Sequence, residues 1–323
     1  MHAPRIIVDG DPGVYRAGHA AQSVEQEIIW EDPLGEIHSV YTGSDSREMR
    51  ACIAFIGGEV LEAIKLVTKK PWSIARDSID TQMEGIYREC RLHFKERMVG
   101  GDPGMELILS GTGNYRESIA TILKYKGNRD GVERPYWYKR IREHMIQTWG
   151  AYVVHEREAD DEVAIRLTRY EQAGIPSILV TIDKDLDQVP GWHYDYKNHV
   201  FYHVDEVEGE ILFFAQIISG DSTDNIPGIW KMGPAKSKKL VAEWQADWAD
   251  DPRIHRRVGM SEYLWRNVVK EYTKHGVRDY AGPKNGEEIA LEIAQLIYMQ
   301  RFPGELWMPP GVERGTTRLN ADD

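Results

Sequence analysis

With 323 residues, 41% of them hydrophobic, and with ten Trp and sixteen Tyr, the chain can bury a sizeable core, which excludes a disordered protein. It has no apolar run of about 18 residues and only Cys52 and Cys90, which excludes a transmembrane helix, a disulfide scaffold and a Cys-rich zinc site. The formal net charge of −12 taken alone argues against a nucleic-acid partner, but ten of the carboxylates fall in short acidic motifs, and setting these aside leaves about −2.

The N-terminus leads directly into an apolar strand, Arg5–Asp9, without a signal-peptide layout, so a cytoplasmic location is expected. Residues 27–41 read as a hairpin turning at Asp32-Pro-Leu-Gly35. Residues 48–67 and 73–97 read as helices, and residues 105–109 as a second buried strand. Residues 111–142 form a basic, aromatic-rich connection that is partly helical. A short strand at 151–154, a helix at 159–172 closed by Gly174 and Pro176, a buried strand at 177–182 and a hairpin at 192–203 follow. From about residue 206 the pattern is helical. Alternating strands and helices predict an α/β fold with a mostly parallel sheet. The expected division is a catalytic core over residues 1–205, a helical region over 206–310 and a polar, flexible tail over 311–323.

The strands end in acids. Asp9 and Asp11 follow the first strand. Glu158, Asp160 and Asp161 open the helix after residues 151–154. Asp183 and Asp185 follow the strand at 177–182, with Asp187 as a third candidate there. Asp221 and Asp224 follow an apolar helix. A single Asp in such a place is more often a helix cap or a turn residue. Many carboxylates at the carboxyl ends of one sheet, where α/β folds gather ligands, repel one another unless protonated or metal-bound. Oxygen-only donors favour Mg2+ or Mn2+, and a pair of such ions suits phosphodiester hydrolysis. The eleven histidines show no paired metal-ligand spacing, and His19, His144 and His155 read as structural or surface residues.

Two further stretches point to phosphate. In residues 221–241, Gly228 and Gly233 flank a tight hairpin, Pro234 opens a helix, and Lys231, Lys236, Lys238 and Lys239 add positive charge. In residues 114–138, Asn114-Tyr-Arg116, Tyr125-Lys-Gly-Asn-Arg129 and Pro135-Tyr-Trp-Tyr138 interleave cations with aromatics, which can hold phosphate and stack on bases. The plain alternatives are a helical hairpin with a solvated lysine face and a solvated basic loop.

Val-Asp-Gly-Asp, Asn-Tyr-Arg followed by Tyr-Lys-Gly-Asn-Arg, Glu-Ala-Asp-Asp, Asp-Lys-Asp and Gly-Asp-Ser-Thr-Asp-Asn-Ile-Pro-Gly-Ile occur in that order. Together they resemble the bacteriophage 5′–3′ exonuclease and flap endonuclease family, related to the 5′-nuclease domain of bacterial DNA polymerase I. The resemblance spans about residues 5–245. It implies a PIN-like core, a helical arch and a helix-hairpin-helix element that grips duplex DNA. It implies hydrolysis of DNA at a 5′ end or flap with two Mg2+ or Mn2+ ions, and K+ at the hairpin. Asp9, Asp11, Glu158, Asp160, Asp161, Asp183, Asp185, Asp221 and Asp224 would be metal ligands, and Lys126 and Arg129 would act at the scissile phosphate. Tyr15, Arg116, Gly228, Gly233, Lys236, Ser237, Lys238 and Lys239 would contact DNA. One departure is the stretch Leu109-Ser-Gly-Thr-Gly-Asn114, where the family carries an aspartate and this chain has no acid. A haloacid-dehalogenase-type phosphohydrolase would use Asp9, Asp11 and residues 220–224 but leaves residues 158–161 and the lysine-rich hairpin without a role. A DNA-binding protein on a decayed nuclease scaffold is a third reading.

Overall fold

The computed structural model describes residues 2–43, 46–97, 99–277, 280 and 282–311. In chain order the elements are β1 (Arg5–Asp9), α1 (Asp11–Ala20), β2 (Gln22–Glu31), β3 (Ile37–Thr42), α2 (Arg47–Phe55), β4 (Glu59–Lys69), α3 (Trp72–Glu96), β5 (Gly104–Ser110) and α4 (Tyr115–Ile119). There follow α5 (Tyr138–Trp149), β6 (Tyr152–Val154), α6 (Ala159–Gln172), β7 (Ser177–Thr181), β8 (Gly191–Asp195), β9 (Val200–Val204) and α7 (Glu206–Ser219). The chain closes with α8 (Pro234–Asp250), α9 (Pro252–His255), α10 (Met260–His275) and α11 (Gly286–Ile297). No described helix is long and apolar enough to cross a membrane. The expected tail falls on residues 312–323, which lie outside the described residues apart from Gly311 before them.

The chain forms two compact units. The first comprises Met1–Pro12, Gly85–Val132 and Trp149–Asp323, the second Gly13–Glu84 and Glu133–Thr148. In the first unit a six-stranded sheet runs in the order β6-β5-β1-β7-β8-β9. All pairs are parallel except β8 with β9. Strands covered on both faces must be apolar throughout, and Ile6, Ile7, Val8, Ile108, Leu109, Leu179 and Val180 are fully buried. Helix α6 packs Val163, Ala164 and Leu167 on this sheet. After β1 the chain builds outward through β5 and β6, then returns to the other side of β1 with β7. The strand order therefore reverses between β1 and β7, the place where open α/β sheets bind ligands.

A second apolar cluster in the same unit joins Phe214, Ile217 and Ile218 of α7 to Val241 of α8, Leu264 and Val268 of α10 and Ile293 of α11. Helix α7 begins at a capping box: Asp205 accepts the Glu208 N–H at 2.8 Å and Glu208 accepts the Asp205 N–H at 3.2 Å. The expected boundary at Asp205 coincides with this cap and lies inside the first unit.

The second unit holds a three-stranded antiparallel sheet in the order β3-β2-β4. Here the structure corrects the expected helix over residues 48–67. Helix α2 stops at Phe55, Gly57 takes a positive φ of 82°, and β4 follows. Residues 59–69 are stabilised as a strand by pairing along nearly the whole of β2, a partner that a local reading does not see. Asp32 organises the β2–β3 turn, accepting the Leu34 and Glu36 N–H groups at 2.9 Å each. The expected partly helical connection over residues 111–142 contains α4, a 3₁₀ turn at Gly127–Arg129 and the start of α5.

Candidate active site

Acids from four elements meet at the carboxyl end of the sheet, where the strand order reverses. Asp9 ends β1 and is 1% exposed, with its Oδ2 accepting from Thr181 Oγ1 at 3.1 Å. Burial raises its carboxyl well above the usual carboxylate range, and Asp11 and Asp183 raise it further. Glu158 is the N-cap residue of α6, and Asp160 lies in its first turn. Burial lifts Asp160 as well, with Asp9, Asp183 and Glu158 adding repulsion. Asp183 caps a 3₁₀ turn after β7 and accepts the Asp185 N–H at 2.9 Å. It too is raised by burial and by Asp224 and Asp221. Burial and the neighbouring Asp183, Asp221 and Asp224 push Asp185 up to about 7, against a 2.6 Å hydrogen bond from Gln216.

Asp11 reaches the same place from the first turn of α1, its Oδ2 accepting the Ser110 N–H at 3.1 Å. Ser110 ends β5, so this contact brings a carboxylate to the carboxyl end of a central strand that has no acid of its own there. The Ser110 hydroxyl is used elsewhere, accepting the Ala159 N–H at 2.8 Å and so holding the start of α6 to β5.

Residues 124–130 close over the acids by zipping to the loop after α7. The Lys126 N–H donates to the Asp224 carbonyl at 2.8 Å, Asn128 Nδ2 to the Ser222 carbonyl at 2.7 Å, and Asn225 Nδ2 to the Lys124 carbonyl at 2.8 Å. Lys126 has a positive φ of 54°, a conformation a lysine rarely holds without surrounding restraint. Its ammonium pairs with Glu158 and lies 3.5 Å from Asp224 Oδ2. Burial opposes its charge, but Glu158 and Asp224 outweigh that and raise its pKa. Burial likewise opposes the charge of Glu158, and Lys126 and Arg116 hold its carboxyl below the usual range. Arg129 Nη2 donates to Asp224 Oδ1 at 2.5 Å. Tyr125, which the sequence offers only as an aromatic that can stack on bases, donates its hydroxyl toward Glu158 at 2.6 Å and Asp224 at 2.8 Å. Its place beside Lys126 was a usable signal.

Five candidate site residues stand elsewhere. Arg116 is 2% exposed and does not present a surface to DNA. Its guanidinium forks onto Asp161 at 2.5 and 2.9 Å and donates to the carbonyls of Leu296 and Tyr298. Asp161 is fully buried in that pair and also accepts the Gln300 N–H, so its oxygens are committed to tying α6 and α4 to the segment after α11. Ser237 is fully buried, its hydroxyl donating to the Met232 carbonyl at 3.3 Å. Tyr15 belongs to the second unit, 39% exposed and packed at 5.2 Å against Tyr138. Asp187 accepts from Tyr202 at 2.7 Å.

The two hairpin glycines also differ. At Gly228 an added Cβ would lie 2.1 Å from the carbonyl carbon and oxygen of Ser219, so this glycine lets two backbones touch. Gly233, the exposed N-cap residue of α8, would carry a Cβ into open space. Its helix start leaves first-turn N–H groups without intrahelical acceptors, and Lys236, Lys238 and Lys239 are exposed around it. Gly228→Ala is therefore expected to destabilise the fold by about 3 kcal/mol, and Gly233→Ala to leave stability nearly unchanged. Urea unfolding midpoints of the two variants check this.

Within the described residues, only Asp32, Glu36 and His38 bring three donor atoms within 4.8 Å of one another. That group belongs to the β2–β3 turn, where Asp32 Oδ2 lies 3.0 Å from His38 Nε2. The acids at the sheet end are spaced more openly than such a closed cage. Their donors are all carboxylate oxygens and their negative charge is only partly offset by Lys126 and Arg129, which suits hard divalent cations in kind.

No family model matches the sequence, and no curated protein matches it. Solved structures do show similarity. Bacteriophage T5 5′-exonuclease with divalent metal ions (zinc) bound is 16% identical with a TM-score of 0.47, covering 91% of this chain and 89% of that one. Bacteriophage T5 flap endonuclease, in a pseudo-enzyme–product complex with DNA and metal ions, is 16% identical with a TM-score of 0.38, covering 66% of this chain and 90% of that one.

Proposed function

We propose that the chain is a divalent-metal-dependent 5′-nuclease that hydrolyses DNA phosphodiester bonds as a 5′–3′ exonuclease or flap endonuclease. The observation that carries this reading is the meeting of Asp9, Asp11, Glu158, Asp160, Asp183, Asp185, Asp221 and Asp224 at one sheet end beneath Lys126. These eight carboxylates would hold Mg2+ or Mn2+. Bound ions of this kind supply positive charge for activating water and for stabilising the leaving oxygen.

The chain's own residues do the rest. Tyr125 orients Glu158 and Asp224, and Gln216 orients Asp185. Lys126 and Arg129 place positive charge where a scissile phosphate would otherwise meet carboxylates. The open N-terminus of α8 with Lys236, Lys238 and Lys239 offers backbone donors and charge to a second phosphate, as a helix-hairpin-helix element does for duplex DNA.

The test uses a 5′-labelled flap, a nicked duplex and a single strand. Cleavage is expected with Mg2+ or Mn2+ and is expected to stop in EDTA; full cleavage in EDTA overturns the metal mechanism. Mg2+-dependent binding to branched DNA without cleavage would establish the decayed-scaffold reading. Hydrolysis of p-nitrophenyl phosphate with DNA left intact would establish the phosphohydrolase.

A further inference from the structure

The second unit carries a feature that the acids do not use. Side chains directly opposite in an antiparallel sheet share a face, so the register assigns every strand residue to one side. Gln22, Val24 and Gln26 of β2 face the same way as Lys69, Val67 and Lys65 of β4 and Thr42 of β3. Glu25, Glu27 and Glu31 of β2 face the other way, with Glu62 and Glu59 of β4. The sheet thus has one acidic face and one on which the described strand residues supply lysines and no carboxylate.

The lysine-bearing face borders a cavity of about 550 Å³ lined by His19, Gln22, Val24, Gln26 and Lys65. The segment before α5 crosses this face. The Tyr136 N–H donates to Gln22 Oε1 at 3.0 Å, and Trp137 Nε1 donates to the Lys70 carbonyl at 3.0 Å. Gln26 Oε1 is buried without a hydrogen-bond partner, so its amide gains by turning toward a donor. Cations lie against the aromatic rings of this unit: Lys69 Nζ is 3.8 Å from the Tyr136 ring centre, Arg134 4.6 Å from that of Tyr138, and Arg140 4.6 Å from that of Trp72. Tyr136 is nevertheless 49% exposed. Glu133 brings a carboxylate to the arrangement, 3.8 Å from Lys65, and both side chains remain at least half exposed.

We propose that this face is a single-stranded DNA site, with an unpaired base entering the cavity beside Tyr136 and Lys65, Lys69 and Arg134 meeting the flanking phosphates. Aromatic stacking with nearby cations binds bases of any sequence. Duplex DNA keeps its bases stacked inside and cannot insert one without unpairing it, so the cavity selects a single strand. The site goes beyond the nuclease reading and does not depend on it, because binding needs neither metal nor cleavage.

The experiment measures fluorescence anisotropy of a labelled oligothymidylate and of a blunt duplex of equal length, with the full chain in EDTA. Tyr136→Ala is expected to weaken oligothymidylate binding by about fivefold or more while duplex binding changes less than about twofold. Lys65→Ala combined with Lys69→Ala is expected to lower the slope of log affinity against log salt by about 1.4 on the single strand. Glu25→Gln, on the opposite face, is expected to change neither. Unchanged oligothymidylate affinity in the Tyr136 and lysine variants, or equal losses on both DNAs, overturns the proposal. Photo-crosslinking of wild-type protein to an oligonucleotide carrying 5-iodouracil gives an answer independent of folding of the variants. Adducts are expected at Tyr136, Trp137 or His19, and adducts confined to the first unit overturn the assignment.

Discussion

Asp160→Asn is expected to cut the single-turnover cleavage rate about a thousandfold, roughly 4 kcal/mol, while raising the melting temperature of the metal-free protein at pH 8. Both effects have one origin. Asp160 is held among Asp9, Asp183 and Glu158, and burial together with their repulsion raises its pKa well above 3.8. A carboxyl raised on folding binds its proton more tightly in the native state. Its stabilising contribution is complete below the unfolded value and is lost as pH rises through the folded one. At pH 8 the wild-type carboxylate therefore works against the fold, and the neutral amide does not. Near pH 4 the melting temperatures of the two proteins are expected to converge. Adding Mg2+ at pH 8 is expected to stabilise the wild type more than the variant, since ligands stabilise the state that binds them. A variant that cleaves normally would remove Asp160 from the metal set. A variant less stable than wild type in EDTA at pH 8 would show that the acids are not mutually strained.

The acids that meet were legible because each follows an apolar run that can only be a buried strand or the helix packed on it. Asp9 after Ile6-Ile-Val8 and Asp183 after Ile178-Leu-Val180 are placed by those runs alone. Arg116 reads as a DNA contact in the sequence because it follows Tyr115 in a basic, aromatic-rich stretch, which has the composition of one. Its partner Asp161 lies 45 residues away, and only the fold brings them together. Ser237 carried a readable signal. It stands four residues before Val241, both are fully buried, and that spacing puts them on one face of α8 while Lys236, Lys238 and Lys239 project outward. Gly228 and Gly233 look alike as turn glycines, and what separates them is the distance to the Ser219 carbonyl, a contact across the loop. Strand β4 was missed for a similar reason: its partner β2 ends 28 residues before it begins, and local pattern alone favours continuing α2.

Lys126→Ala is expected to lower the single-turnover rate about a hundredfold, roughly 2.7 kcal/mol, at saturating enzyme. In the structure its ammonium already lies between Glu158 and Asp224, so one reading gives it no task beyond offsetting those two carboxylates. The backbone suggests more. Lys126 holds a left-handed φ of 54°, a conformation that costs of order 1 kcal/mol in a residue with a side chain, and its own N–H is tied to Asp224. The chain bears that strain at the residue whose side chain enters the cluster. Comparing Lys126→Ala with Lys126→Gly separates the two contributions. Glycine adopts positive φ without cost, so Lys126→Gly should be the more stable variant, whereas both should lose cleavage equally if the ammonium is what matters. Lys126→Arg should recover part of the rate, because guanidinium keeps the charge but not the geometry. If Lys126→Ala cleaves at the wild-type rate once the DNA is saturated, the lysine serves only to hold substrate. If Lys126→Gly alone retains activity, the backbone turn and not the ammonium is the contribution of this residue.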